Sequence, residues 1–156
     1  MTPARKRHRA PWFKDGLRFE CQRCGGCCSG ESGYVELSKR EADAVAKHLG
    51  ISLDEFTERY TRTEYENCIL LKEIPSDYGL DCIMLQRDPD NPAVTSCMIH
   101  ECRPEQCSTW PFWPNNVASK TNWNKAAQRC PGVNKGPLHS RETIEKCCLD
   151  FELPMP

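Results

Sequence analysis

Four thiols lie on one short stretch of this chain, Cys21-Gln22-Arg23-Cys24-Gly25-Gly26-Cys27-Cys28, an arrangement that an ordinary apolar core does not call for. Two Cys-x-x-Cys steps share Cys24, and an adjacent pair closes the run. A Cys-x-x-Cys turn brings two sulfurs within reach of one soft cation, which is why this spacing recurs at zinc and iron–sulfur sites. Gly25 and Gly26 supply the positive-φ freedom expected of a backbone that wraps around an ion. Cys68, Cys82, Cys97, Cys102, Cys107, Cys130, Cys147 and Cys148 bring the total to 12. The pattern speaks strongly for a metal and hardly at all for a particular reaction.

Cross-linking matters here because apolar side chains are scarce. Phe, Ile, Leu and Val make 27 of 156 residues. That is about 17%, below the roughly 20% under which a chain struggles to bury a core. A net charge of −1 argues against simple disorder, so the missing cohesion is expected from metal–thiolate bonds or disulfides. An even number of cysteines would suit a disulfide framework. Against it, the N-terminal stretch is basic with no apolar run behind it, so no secretory signal is visible and no segment approaches the length of a membrane span. Clustered thiols in a reducing compartment serve as metal ligands, and a cytoplasmic location is expected.

Arg5, Lys6, Arg7 and Arg9 make residues 1–10 a basic arm. Such an arm can touch phosphate or acidic lipid, but no basic helix or aromatic stacking platform follows it. We read it as solvated and disordered, and expect no nucleic-acid partner. One metal-binding domain over residues 11–150 and a tail at 151–156 complete the organisation, with no internal repeat.

The expected fold is a small α+β domain, organised by its metal, of short helices and loops with a small antiparallel hairpin. Trp12, Phe13, Leu17 and Phe19 should pack beside the cysteine loop. Tyr34–Leu37 reads as extended. Ser38 with Glu41 makes a capping box for a helix that ends at Gly50, and Ser52 with Glu55 caps a second helix. Glu64–Ile74 reads as extended, Pro75–Gly79 as a turn and Asp81–Leu85 as the return strand. A turn at Asp88–Pro92, a strand over Ser96–Ile99 and a helix from Arg103-Pro104 follow. Trp110–Pro114 should break that helix. Helices over Ser119–Arg129 and from Ser140, separated by the stop Cys130-Pro131-Gly132, finish the chain.

With these pieces in order, the chain resembles the bacterial YkgJ-type cysteine cluster family, the zinc- or iron-chelating domain named for its CxxCxxCC motif. The likeness is carried by Phe19-Glu20 with the cysteine loop, by Asp81-Cys82-Ile83-Met84-Leu85, and by Cys97-Met98-Ile99-His100-Glu101-Cys102-Arg103-Pro104-Glu105-Gln106-Cys107. Trp110-Pro111-Phe112-Trp113-Pro114 and Cys130-Pro131-Gly132 complete it, so that it runs from about Arg18 to Ile144. The resemblance implies that Cys21, Cys24, Cys27, Cys28, Cys82, Cys97, Cys107 and Cys130 are the metal ligands. Cys68, Cys102, Cys147 and Cys148 fall outside that set, and His100 stands where relatives usually carry tyrosine. A flagellin lysine methylase group with a similar cluster implies an iron–sulfur centre for some relatives.

Eight thiols fill two four-coordinate sites, or hold one four-iron cluster with further cysteines around it. Cys27 and Cys28, if extended, would point to opposite sides and serve two centres, or leave one as a bystander. Cys130-Pro131 after a distant Cys-x-x-Cys-x-x-Cys is similar to the ferredoxin pattern. We read the set as an iron–sulfur site, with a tetrahedral zinc site as the alternative. His100, between two cysteines, reads as a packing or surface residue before a ligand, and the Trp110–Trp113 cluster as core beside the site. Arg103 reads as an ion-pair or helix-start residue that could also offset sulfur charge. The sequence shows no nucleotide-binding glycine loop, no readable Ser/His/Asp set and no HExxH helix. A module that holds or delivers metal, or docks on a protein partner, is therefore preferred to an electron-transfer or methyltransferase-like enzyme.

Overall fold

Residues 9–150 are described in the computed structural model. The tail at 151–156 and most of the basic arm, residues 1–8, lie outside the described residues. Among the described residues the chain forms six α-helices and eight short strands, an α+β domain as expected. The strands make four separate antiparallel pairs rather than one sheet.

Local chemistry sets the first helices. In α1 (Lys39–Leu49) the Ser38 hydroxyl accepts from Glu41 N and the Glu41 carboxylate accepts from Ser38 N, while Gly50 at φ 71° closes the helix. The other Glu41 oxygen accepts from Glu105 N at 2.7 Å, tying α1 to the start of α3 (Glu105–Ser108). In α2 (Leu53–Tyr60) Ser52 caps the Glu55 N–H, and the Glu55 carboxylate turns instead to Arg59. Pro104 takes the cap position of α3 rather than its first turn. A short α4 (Pro114–Val117) opens on Pro114 directly after the tryptophan-rich break. Ser119 caps α5 (Lys120–Arg129), and α6 (Arg141–Asp150) follows Ser140.

The strands depart from expectation in four places. The expected Glu64–Ile74 strand shrinks to β3 (Leu70–Leu71), which pairs with β2 (Thr61–Arg62), and the start of β4 (Glu73–Ser76). The turn tightens to Asp77-Tyr78, because β4 and β5 (Gly79–Cys82) pair as far as Ser76 and Gly79. The return strand breaks at Ile83-Met84, and the Met84 amide favours the charged form of the Cys82 thiol. The chain then enters a separate pair, β6 (Leu85–Arg87) with β7 (Thr95–Cys97). The fourth departure is β8 (Val133–His139), which pairs with β1 (Leu17–Phe19). Its mostly exposed residues show no alternation for a sequence argument to catch.

Burial divides into two clusters. Phe13 and Leu17 from the N-terminal lead pack with Phe112, Val117, Trp123, Cys130, Val133 and Ile144 from the C-terminal third. Leu37, Ala42, Val45, Ala46, Phe56, Leu71, Met84 and Ile99 form the other cluster from the middle of the chain. The lead thus joins a core built largely by the far end of the chain.

Replacing Ser38 with alanine removes one cap bond and should cost ~1 kcal/mol in denaturant unfolding. Glu41→Ala removes bonds to both Ser38 N and Glu105 N, and should lower the unfolding midpoint further than Ser38→Ala. Equal midpoints for the two variants would show that the α1–α3 tie adds nothing.

Candidate metal centre

The cysteine loop is held by its own amides and by two neighbours. Cys21 Sγ accepts from Arg23 N and Cys24 Sγ from Gly26 N, each at 3.4 Å. These repeated turns use left-handed backbone at Arg23 (φ 54°) and Gly25 (φ 74°). Gly26 serves by its size rather than by a positive φ. A Cβ there would stand 2.7 Å from the Arg129 carbonyl oxygen at the end of α5, and one at Gly25 would stand 2.7 Å from Thr95 Oγ1. Thr95 also donates to the Arg23 carbonyl at 3.1 Å. The loop is therefore wedged between β7 and α5.

Its exit is laid against β5. Cys82 N donates to the Cys28 carbonyl at 2.8 Å, and Gly30 and Leu80 exchange backbone bonds at 3.1 and 2.8 Å. Arg87 grips Asp81 at 2.7 and 2.9 Å and reaches Ser29 Oγ at 3.0 Å. The Arg87 guanidinium beside it, helped by Ser29, holds the Asp81 carboxyl down at about 2. Cys28 N closes a turn onto the Gly25 carbonyl, so Cys27 and Cys28 do not alternate as in extended chain. Their sulfurs lie 3.6 Å apart.

One cavity of about 70 Å³ is lined by Cys21, Cys24, Cys27, Cys28, Cys82, Cys97, Cys107 and Cys130, together with His100 and Arg103. All eight cysteines singled out from the sequence thus line one cavity. Cys21, Cys24 and Cys27 keep exposed surface, whereas Cys130 is buried. Among the described residues no three Cys, His, Asp or Glu side chains are drawn into a set that clasps a single ion. Two of the sulfurs, Cys21 and Cys24, accept a backbone N–H from two residues on, and the Met84 and Ile99 amides favour the charged forms of Cys82 and Cys97.

Electrostatics in the cavity are divided. Burial pushes the Cys82 thiol up to about 11 and raises Cys97 and Cys107 as well. The hydrogen bond between Cys27 and Cys28 lowers the first and raises the second, so the pair yields one thiolate readily. Arg103 favours the charged form of Cys27, Cys97 and Cys107, and Arg129 that of Cys27. Arg103 also has a structural part, since its Nε donates to the His100 carbonyl at 3.0 Å.

The other four cysteines stand elsewhere. Cys68 is buried below the Tyr65 turn, and Cys102 packs against the middle cluster. Cys147 and Cys148 pack on the terminal cluster from α6, where Cys148 Sγ donates to the Phe112 carbonyl. His100 lies in a 3₁₀ turn (His100–Cys102), and its Nε2 is sealed from solvent without a hydrogen-bond partner. Trp110 and Trp113 pack edge to face at 4.8 Å. They wall a second cavity, of about 370 Å³, that shares Cys27, Cys28, Cys82 and Cys107 with the first. A wider depression of about 880 Å³ beside Cys68 touches none of the eight.

A small α+β domain that turns eight thiols onto one cavity belongs to the class of cysteine-cluster domains. Residues 20–131 match the CxxCxxCC family, described as "Putative zinc- or iron-chelating domain", and the chain belongs to that family. The match opens just before Cys21 and closes just after Cys130. The chain is also similar to an uncharacterized protein of Methanocaldococcus jannaschii, 28% identical over 100 residues, covering 64% of this chain and 48% of that protein. It thus spans about half the length of that relative. No solved structure matches the chain. No helix among the described residues is long and apolar enough to cross a membrane.

Gly26→Ala should force the loop off the end of α5, lowering the unfolding midpoint by ~1 kcal/mol or more. Gly33→Ala, which meets no atom within 4 Å, is the control and should melt like the parent. A Gly26→Ala variant as stable as the Gly33→Ala one would show that the wedge is not tight.

Proposed function

We propose that Cys21, Cys24, Cys27, Cys28, Cys82, Cys97, Cys107 and Cys130 hold an iron–sulfur cluster, in a cytoplasmic module that carries iron or presents it to a protein partner. The observation that carries this reading is the single cavity lined by all eight cysteines, a concentration of thiolate donors that suits a sulfide-bridged cluster. The donor set suits the group. Thiolates are the usual ligands of iron–sulfur clusters, and backbone N–H bonds to sulfur are among the features that tune them. Two such bonds and the amides of Met84 and Ile99, with Arg103 and Arg129 nearby, would offset the negative charge that eight sulfurs gather. Bound there, a cluster would supply one-electron redox chemistry.

Zinc is the second reading, favoured by one distance. The Cys27 and Cys28 sulfurs are 3.6 Å apart, and two ligands with ~2.3 Å bonds to one tetrahedral zinc would stand roughly 3.8 Å apart. In that reading the eight thiols divide between two four-coordinate ions and the domain is a zinc-scaffolded binding module.

Anaerobically purified protein is expected to be brown, with iron and acid-labile sulfide in comparable amounts. Cys24→Ser or Cys27→Ser should remove the colour, whereas Cys147→Ser and Cys148→Ser should keep it. Colourless protein with stoichiometric zinc and no sulfide would sink the cluster in favour of zinc. Strict chelation under reducing conditions should abolish the cooperative thermal transition followed by circular dichroism, because the metal joins the two cores. A cooperative melt that survives in metal-free, disulfide-free protein would contradict that role.

A further inference from the structure

We infer that His100 is a ligand of the metal centre, giving it one imidazole nitrogen through Nε2 in place of one of the eight thiols. The inference rests on the metal-binding reading above, though not on which metal is bound. Its starting point is spacing. Cys24 and Cys27 each stand three residues after a cysteine of the cavity, and His100 stands three residues after Cys97, so that Cys97-Met98-Ile99-His100 repeats the step with imidazole in the last place.

The surroundings of the ring agree. His100 lines the same cavity as the eight thiols. Its Nε2 is buried and has no hydrogen-bond partner among the described residues. A buried polar nitrogen left without a partner costs ~1–3 kcal/mol, and a metal bond would relieve that cost with a group the site is already built to hold. The 3₁₀ turn that carries the ring is itself fixed, by the Arg103 Nε bond to the His100 carbonyl. Neutral imidazole is a common ligand of both zinc and iron, and histidine in place of cysteine on an iron–sulfur centre raises its potential.

The test is X-ray absorption on the full chain, purified anaerobically, at the edge of whichever metal it carries. Histidine labelled with ¹⁵N, read by pulsed EPR of the reduced protein, adds a direct nitrogen signal if the metal is an iron cluster. The parent should show a nitrogen neighbour with the outer-shell scattering of an imidazole ring beside its sulfurs. His100→Cys should keep the metal, replace the nitrogen by sulfur and, in an iron cluster, shift the midpoint potential downward. His100→Phe should lose the nitrogen, and where it fails to fold the cysteine variant is read alone. A sulfur-only shell in the parent, or an identical nitrogen signal in His100→Cys, overturns the inference. Zinc in place of iron defeats the cluster reading alone, since the zinc edge reports nitrogen equally well. A parent that binds no metal overturns both.

Discussion

The thiol-lined cavity is the seam on which this domain closes. Each hydrophobic cluster contributes eight buried residues, one gathered from the two ends of the chain and one from its middle. Cys130 belongs to the terminal cluster and lines the cavity, while Leu71, Met84 and Ile99 reach it from the other. A chain this poor in Phe, Ile, Leu and Val makes two modest cores instead of one continuous one, and modest cores need reinforcement where they meet. Thiols at that junction can be joined by a soft metal, and the free energy of binding then becomes free energy of folding.

Holding many sulfurs together sets an electrostatic problem, and the backbone takes a large share in solving it. Burial disfavours the charged form of Cys82, Cys97 and Cys107. The amides of Met84 and Ile99 work the other way at Cys82 and Cys97, as do Arg103 at Cys97 and Cys107 and Arg129 at Cys27. The Met84 amide stands where the strand stops after Cys82, and there it favours the charged form of that thiol against burial.

Helices were legible because their ends are local. Ser38 with Glu41, Gly50, Ser52 and Ser119 are capping residues whose bonds span a few positions, and each stands at its expected terminus. Strand pairing was less legible. The pairing of β1 with β8 joins residues more than a hundred positions apart, and Val133–His139 carries no alternation to announce it. Gly26 was expected for its freedom of φ, whereas its place is set by the Arg129 carbonyl, which no local reading reveals.

By itself the sequence determined that this is a cysteine-cluster domain of the CxxCxxCC family. It did so because ligand type and Cys-x-x-Cys spacing are local properties of the chain. It also separated, by the family's pattern, the eight thiols of the cavity from Cys68, Cys102, Cys147 and Cys148. Tertiary structure alone decided that those eight share one cavity, and that Cys27 and Cys28 point together because a turn replaces extended backbone. It alone brought His100, whose Nε2 is buried without a hydrogen-bond partner among the described residues, to the same wall. Such arrangements depend on which distant segments pack against one another, and that is settled by burial and close contact across the whole domain, not by spacing along the chain.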